Sequence, residues 1–332
     1  MKKNERVNLG AVIRVLLALI PIIFGMPTVA MVFCAYIISM YFLTCGPLTF
    51  IAGSLCSVVI SMFLYGTISE TGQLDGLFLA AESILCALSC SVTIMKKKNF
   101  FYGVYLAAVA YLSLSFINIS QQAHKVGISV AEFLTDAPIK LARIQLEGIL
   151  ENANVGNELI NNIINMIKEL AVMMIPSVLV IISVVIGYIM MWIISYPFRK
   201  TEVFPKHSFA QIRFPRVAAG IIAIAALLWI VAPANLKYIC ANVVFILCAL
   251  AFFSGMSLVE FFLKKKIKSF FGRLIIHTVL YMFSLSVAGV SPFINIFTIY
   301  TVLAMIDSFV DIRRRTLKGN QKNRREADET QG

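Results

Sequence analysis

The stretch AVMMIPSVLVIISVVIGYIMMWIISY, Ala171 to Tyr196, runs for 26 residues without a charged side chain. As an α-helix it reaches about 39 Å at 1.5 Å per residue, more than the roughly 30 Å hydrocarbon core of a bilayer. Working outward, apolar runs of the same kind lie at 9–25, 28–44, 48–66, 77–95, 100–119, 216–236, 239–263, 270–289 and 291–311, making about ten spans with 171–196. Of the 332 residues 59% are hydrophobic and only 14% charged, where soluble proteins carry roughly a quarter. That composition excludes a large soluble catalytic domain and a disordered scaffold. The absence of short segments with alternating hydrophobicity argues against an outer-membrane barrel. The predicted fold is an all-α polytopic transmembrane helical bundle embedded in the lipid bilayer.

Charge placement sets the orientation. With the N-terminus inside, the predicted cytoplasmic segments collect 23 of the 29 Lys and Arg residues: Lys2, Lys3 and Arg6, Lys96 to Lys98, Arg199 to Arg216, Lys264 to Arg273, and Arg313 to Arg325. This predicts both termini on the cytoplasmic side of the inner membrane and an even number of spans. The net charge of +12 then follows from topology and gives no support to a nucleic-acid partner. Aromatics fall near the predicted water boundaries: Tyr102, Tyr105, Trp192 and Tyr196 inside, Trp229 and Tyr238 outside. The first run resembles a signal peptide, but Arg14 interrupts its apolar core and a second span follows at once, so it reads as an uncleaved helix. The seven cysteines lie in or beside apolar runs. Cys86 and Cys90 share a helix face, yet no second pair or nearby His completes a metal-ligand set, so they read as packing residues and no metal or other cofactor is implied.

The chain is predicted to divide into an N-terminal bundle over 1–119, an external amphipathic helical segment over 120–170, a C-terminal bundle over 171–315 and a disordered polar tail over 316–332. Residues 120–170 carry a net charge of −2. Ile139, Ile144, Leu146 and Leu150 follow the turn-forming Asp136-Ala137-Pro138, and Leu159, Ile160, Ile163, Ile164 and Ile167 follow Gly156-Asn157. Their three- and four-residue spacing predicts two amphipathic helices. Such a hairpin either shields the bundle at the interface, caps an external cavity or docks a partner.

An ionisable group near the centre of a span costs about 2.5–3.5 kcal/mol on insertion scales, so these residues are where function is sought first. Glu82, Glu260, His277, Asp307 and Asp311 are the candidates for binding or coupling, with Arg14, Arg273 and Arg313 as charge partners. Asp307 and Asp311 are four apart on one predicted helix, so their carboxylates share a side and call for a cation. Arg315 stands four residues after Asp311, and Lys264 four after Glu260. Read functionally, this acidic group binds a cation, relays protons or couples to a partner; read structurally, it locks helix ends at the interface. Glu82 lies among Ala80, Ala81 and Ser83, where small neighbours permit close helix approach. It either binds a cationic group or a proton, or snorkels to the outer surface. His277 reads as a hydrogen-bonded histidine of the bundle interior. Gly53, Ser57, Ala219, Ala223 and Gly255 are candidate helix-packing positions. No nucleophile, zinc or phosphate-loop motif is present, which argues against an enzyme.

Phe214-Pro215 after a basic linker, the run Phe252 to Glu260 containing Phe253-Ser254-Gly255-Met256-Ser257, and the closing Ala304-Met305-Ile306-Asp307-Ser308-Phe309-Val310-Asp311-Ile312-Arg313 resemble the YybS-like family of bacterial multi-pass membrane proteins, whose domain has no assigned function. The marks of that family map onto Gly255, Ser257, Asp307 and Arg313. The first five spans, including Tyr41 to Gly66, are similar to the substrate-binding S components of energy-coupling-factor transporters. Where S components carry an Ala-x-x-x-Ala docking motif, this chain has Gly10 and Arg14. The second resemblance implies a small-molecule ligand, a separate coupling protein and ATPases supplied by other subunits. The leading expectation is thus a membrane protein that binds or moves a small solute. The alternative is an assembly protein that docks partners through its external segment and basic loops.

Overall fold

The computed structural model describes residues 26–68, 72–150, 157–200, 209–231, 233–288 and 295–316. The run at 9–25, Arg14 within it and the tail beyond 316 lie outside these. Among the described residues the chain is all-helical, without strands. Ten helices follow one another: α1 (Pro27–Cys45), α2 (Pro47–Ile68), α3 (Gly72–Met95), α4 (Phe100–Val126), α5 (Val130–Leu150), α6 (Asn157–Ser195), α7 (Arg216–Val231), α8 (Ala234–Lys266), α9 (Phe270–Ala288) and α10 (Ile296–Val310). Six of them, α1 to α4, α6 and α8, are long and apolar enough to cross a membrane, while α7, α9 and α10 are shorter apolar helices. The described residues therefore support fewer full-length spans than the ten read from hydrophobic runs. At 16 and 15 residues, α7 and α10 extend about 24 and 22 Å, less than a hydrocarbon core.

Local chemistry accounts for the helix boundaries. Pro27 and Pro47 open α1 and α2, where a missing N–H loses nothing, and Gly46 at φ 97° makes the single-residue link between them. Gly127, at φ 73°, ends α4 in a Schellman arrangement: its N–H donates to His124 and that of Ile128 to Ala123. The expectation for residues 120–170 needs correcting at both ends. α4 continues to Val126, and α5 starts at Val130 rather than after Pro138. Its start is fixed by a capping box in which the Glu132 N–H donates to Ser129 Oγ (3.2 Å) and the Ser129 N–H to Glu132 Oε2 (3.1 Å). The second amphipathic stretch is no separate helix, because α6 runs for 39 residues, with Pro176 inside it, from Asn157 into the apolar span. At about 58 Å it is nearly twice the hydrocarbon thickness, so part of it must lie beyond the hydrocarbon.

The chain separates into two compact units, Met1–Lys206 and His207–Gly332. In the first, α3 packs against α1, α2 and α4, α4 against α6, and α5 against α6. Its core joins Met31, Cys34 and Ile38 to Cys86, Cys90 and Ile94, Phe100 and Val104, and Met190, Met191 and Ile194. Glycines bring backbones together: a Cβ on Gly187 would lie 2.6 Å from the Val104 carbonyl oxygen, and one on Gly76 would strike the carbonyl of Ser61. In the second unit α8 packs against α7 and α10, around Phe214, Ala219, Ile222, Ala251 and Ala304. The six aromatics placed at water boundaries by the sequence are all exposed, as side chains facing an interface would be.

Candidate functional site

Two groups of buried polar residues stand out, one in each unit. In the second unit, α8 and α10 approach so closely that a Cβ on Gly255 would fall on the carbonyl of Tyr300. The contact brings Ser254 and Ser257 of α8 beside the chain just after α10. Arg313, only 2% exposed, enters there. Its Nη1 donates to the carbonyl of Ala210 (2.8 Å) and to Ser257 Oγ (3.1 Å), and its Nη2 to the carbonyl of Ser254 (3.1 Å). Its Nε lies 3.0 Å from Asp307 Oδ2, an ion-pair contact without hydrogen-bond alignment. The Arg313 backbone N–H donates to Asp307 Oδ1 at 3.4 Å. Ser257 in turn donates to the carbonyls of Phe209 and Ile212, and Ser254 Oγ to that of Ile212 (3.3 Å), so one guanidinium and two hydroxyls hold the 209–212 segment on α8.

Asp311 does not share a side with Asp307. The helix stops at Val310, Asp311 takes a left-handed conformation at φ 52°, and its carboxylate pairs with Arg213 at 2.9 Å rather than with Arg315. Arg216 donates to the carbonyls of Ser308 and Phe309, which have no partner within the helix. The expected acidic patch is thus split between two arginines. Glu260 receives Arg273 Nε at 2.8 Å and stands 4.0 Å from Lys264, while Arg273 Nη1 also reaches the carbonyls of Ile267, Lys268 and Ser269. His277 bonds Tyr300 Oη through Nδ1 at 3.1 Å and places Nε2 3.6 Å from Glu260 Oε2. Each of these carboxylates has at least one basic partner and the contacts tie helix ends together, an arrangement in which removal of one partner is damaging.

The first unit is different. A cavity of about 310 Å³ opens at the end where α1 and α3 begin and α2 and α4 finish. Its wall includes Pro27, Thr28 and Met31 of α1, Tyr65 of α2, and Asp75, Leu79 and Glu82 of α3. From α4 come Tyr111, Ser115, Asn118, Ile119 and Gln122. Glu82 is 9% exposed, and its Oε1 accepts from Ser115 Oγ at 2.7 Å. Among the described residues no group donates to its Oε2. Asp75, seven residues earlier on the same face of α3, accepts from Gln122 Nε2 at 2.9 Å, and that amide also donates to Asn118 at 3.3 Å. No Lys, Arg or His is among the described residues that line it.

Glu82 therefore lies inside the bundle, bonded across to α4, and does not snorkel to a rim. Asp75, Tyr65, Ser115 and Gln122 were not singled out by the sequence, although Tyr111, Ser115, Asn118 and Gln122 fall at three- and four-residue steps, a polar stripe on an otherwise apolar helix. Of the packing candidates, Ser57 is fully buried beside Cys34, and Ala219 is buried with Ile222 and Ala225. Ala223 is exposed, and a Cβ on Gly53 would meet nothing within 4 Å. The residues that carried the YybS-like resemblance, Gly255, Ser257, Asp307 and Arg313, converge on one contact. No curated protein and no solved structure matches the chain. A family model described as predicted membrane protein (DUF2232) matches residues 9–308, nearly the whole length, and the chain belongs to that family.

Proposed function

We propose that this membrane protein captures a small solute in the cavity of its first unit, with Glu82 as the principal contact. The observation that supports the reading is a nearly buried carboxylate that lines an open cavity and whose Oε2 has no partner among the described residues. An anionic group in such surroundings is expensive to maintain, and in membrane proteins it marks binding or relay sites. The similarity of the first spans to S components of energy-coupling-factor transporters points the same way, with movement of the solute driven by a separate coupling protein and ATPases. Lys96 to Lys98 close α3 at the opposite end from the cavity. By the positive-inside rule that end is cytoplasmic, and the cavity takes its solute from outside.

The test is purification of the full chain in mild detergent, with mass spectrometry of co-purifying small molecules and melting measured with and without each. A bound solute raises the melting temperature of the parent, and Glu82→Gln reduces that rise. A rise equal in parent and variant removes Glu82 from the site, and co-purification of a protein partner with no solute at all favours assembly over solute capture.

A further inference from the structure

The cavity has a chemical preference written into its wall. We propose that it binds a small organic cation, an ammonium-type group on a compact apolar body, with Glu82 as its counter-charge. The inference rests on the solute-binding reading and names the class of solute.

Charge balance carries the argument. Among the described residues, two carboxylates, Asp75 and Glu82, and no basic side chain line the cavity. Asp75 lies in the first turn of α3, where the helix dipole favours an anion, and it accepts a hydrogen bond from Gln122. Glu82 is ten residues into that helix, about 15 Å from its start and beyond the reach of the terminal dipole. Among the described residues its donor is the neutral hydroxyl of Ser115. The first turn of α1, with Pro27 and Thr28 in the wall, offers only about half an elementary charge. When ionised, Glu82 has no cation among the described residues, and a cationic group in the cavity would supply one.

The rest of the wall decides what kind of cation fits. A hard metal ion takes six or more oxygen ligands, and among the described residues no group of three His, Cys, Asp or Glu could hold a metal. Met31, Leu79 and Ile119 supply apolar surface, and Tyr65 and Tyr111 supply rings, which attract cations at their faces. The volume, about 310 Å³, is that of about ten liquid waters, so the solute is compact.

The test uses the full-length chain in detergent or nanodiscs with three probes matched in size: phenethylammonium, phenethyl alcohol and phenylacetate. Binding is measured by calorimetry and by thermal shift. Phenethylammonium is expected to bind at least about tenfold more tightly than the other two, and Glu82→Gln to erase that preference, as loss of a charge-assisted contact does. A second measurement stands apart from the folding of that variant. In Ser115→Cys, a cationic methanethiosulfonate is expected to react at least about tenfold faster than an anionic one, and phenethylammonium to slow the reaction. Preferential binding of the alcohol or the acid, or equal labelling rates, overturns the cation assignment while leaving a solute site in place. Failure of all three probes to bind or to protect Cys at position 115 up to millimolar concentration overturns both.

Discussion

Replacing Arg313 with Met tests whether the polar group of the second unit is structural. Met is shorter than Arg but of comparable volume, so little packing is lost; what is lost are the donors to Ala210, Ser254 and Ser257 and the charge 3.0 Å from Asp307. Asp307 is then left with a side chain 4% exposed and only the Arg313 backbone N–H, at 3.4 Å, as a partner. Removing one member of a buried pair costs about 3–5 kcal/mol. At roughly 2–4 °C per kcal/mol for a chain of a few hundred residues, the melting temperature should drop by roughly 6–20 °C. A thiol-reactive dye reports the event, because Cys240 is buried in this unit. Asp307→Leu combined with Arg313→Met removes both charges and should regain about 2 kcal/mol relative to the sum of the single changes. An Arg313→Met variant melting within about 2 °C of the parent, or a double variant as unstable as the sum, would refute the structural lock.

Two further perturbations probe the local structure. Gly255→Ala places a methyl group on the Tyr300 carbonyl, and even the Tyr300 Cα would be only 2.8 Å away; α8 and α10 must separate, at a cost of about 1–3 kcal/mol. Gly53→Ala meets nothing within 4 Å and should be neutral or stabilising by up to about 1 kcal/mol, and comparing the two melting temperatures checks both. The carboxyl of Glu132 is held below the ordinary glutamate value of 4.5 by the backbone N–H and hydroxyl of Ser129. Because its native pKa is depressed, the stabilisation of α5 is complete above that ordinary value and fades as pH falls through the native one. Amide protection over 130–136, taken relative to the intrinsic exchange rate at each pH, should fall on acidification in the parent and show no such step in Glu132→Gln.

The membrane-embedded, all-helical character was legible because it rests on the length and composition of apolar runs, which need no knowledge of packing. Helix ends in residues 120–170 differ from the sequence expectation for a specific reason: Asp136-Ala137-Pro138 has the chemistry of a turn, but the capping pair Ser129 and Glu132, at the spacing that starts a helix, sets the start of α5. Gly156-Asn157 was read as the start of an isolated helix, because periodicity cannot tell where an amphipathic stretch fuses with an apolar one. Asp307 and Asp311 were placed on one side because helical spacing presumes an unbroken helix, and the left-handed residue at 311 ends it. Glu82 was visible as a charge in a span. Its partners on α4 were not, since a pairing between Glu82 and Ser115 depends on the register of two helices, which a single sequence does not state.

Burial alone does not separate the proposed binding charge, Glu82, from the paired charges of the second unit. Glu82 and Glu260 are equally exposed, at 9%. Glu260 is surrounded by Arg273, Lys264 and His277, so its desolvation is offset within the chain and nothing further is required of it. Glu82 meets one serine hydroxyl and a cavity. A fold that needed only a helix-helix contact at that position would be served by an apolar residue, or by a matched pair of the kind that the second unit contains. The carboxylate makes physical sense when its missing partner arrives from outside the chain. For that reason Glu82→Leu should raise the melting temperature of the ligand-free protein, since it removes an uncompensated buried charge, whereas Glu260→Leu should lower it by stranding Arg273. The opposite order of the two melting temperatures would show that Glu82 is already satisfied and that the cavity has no charge to offer a solute.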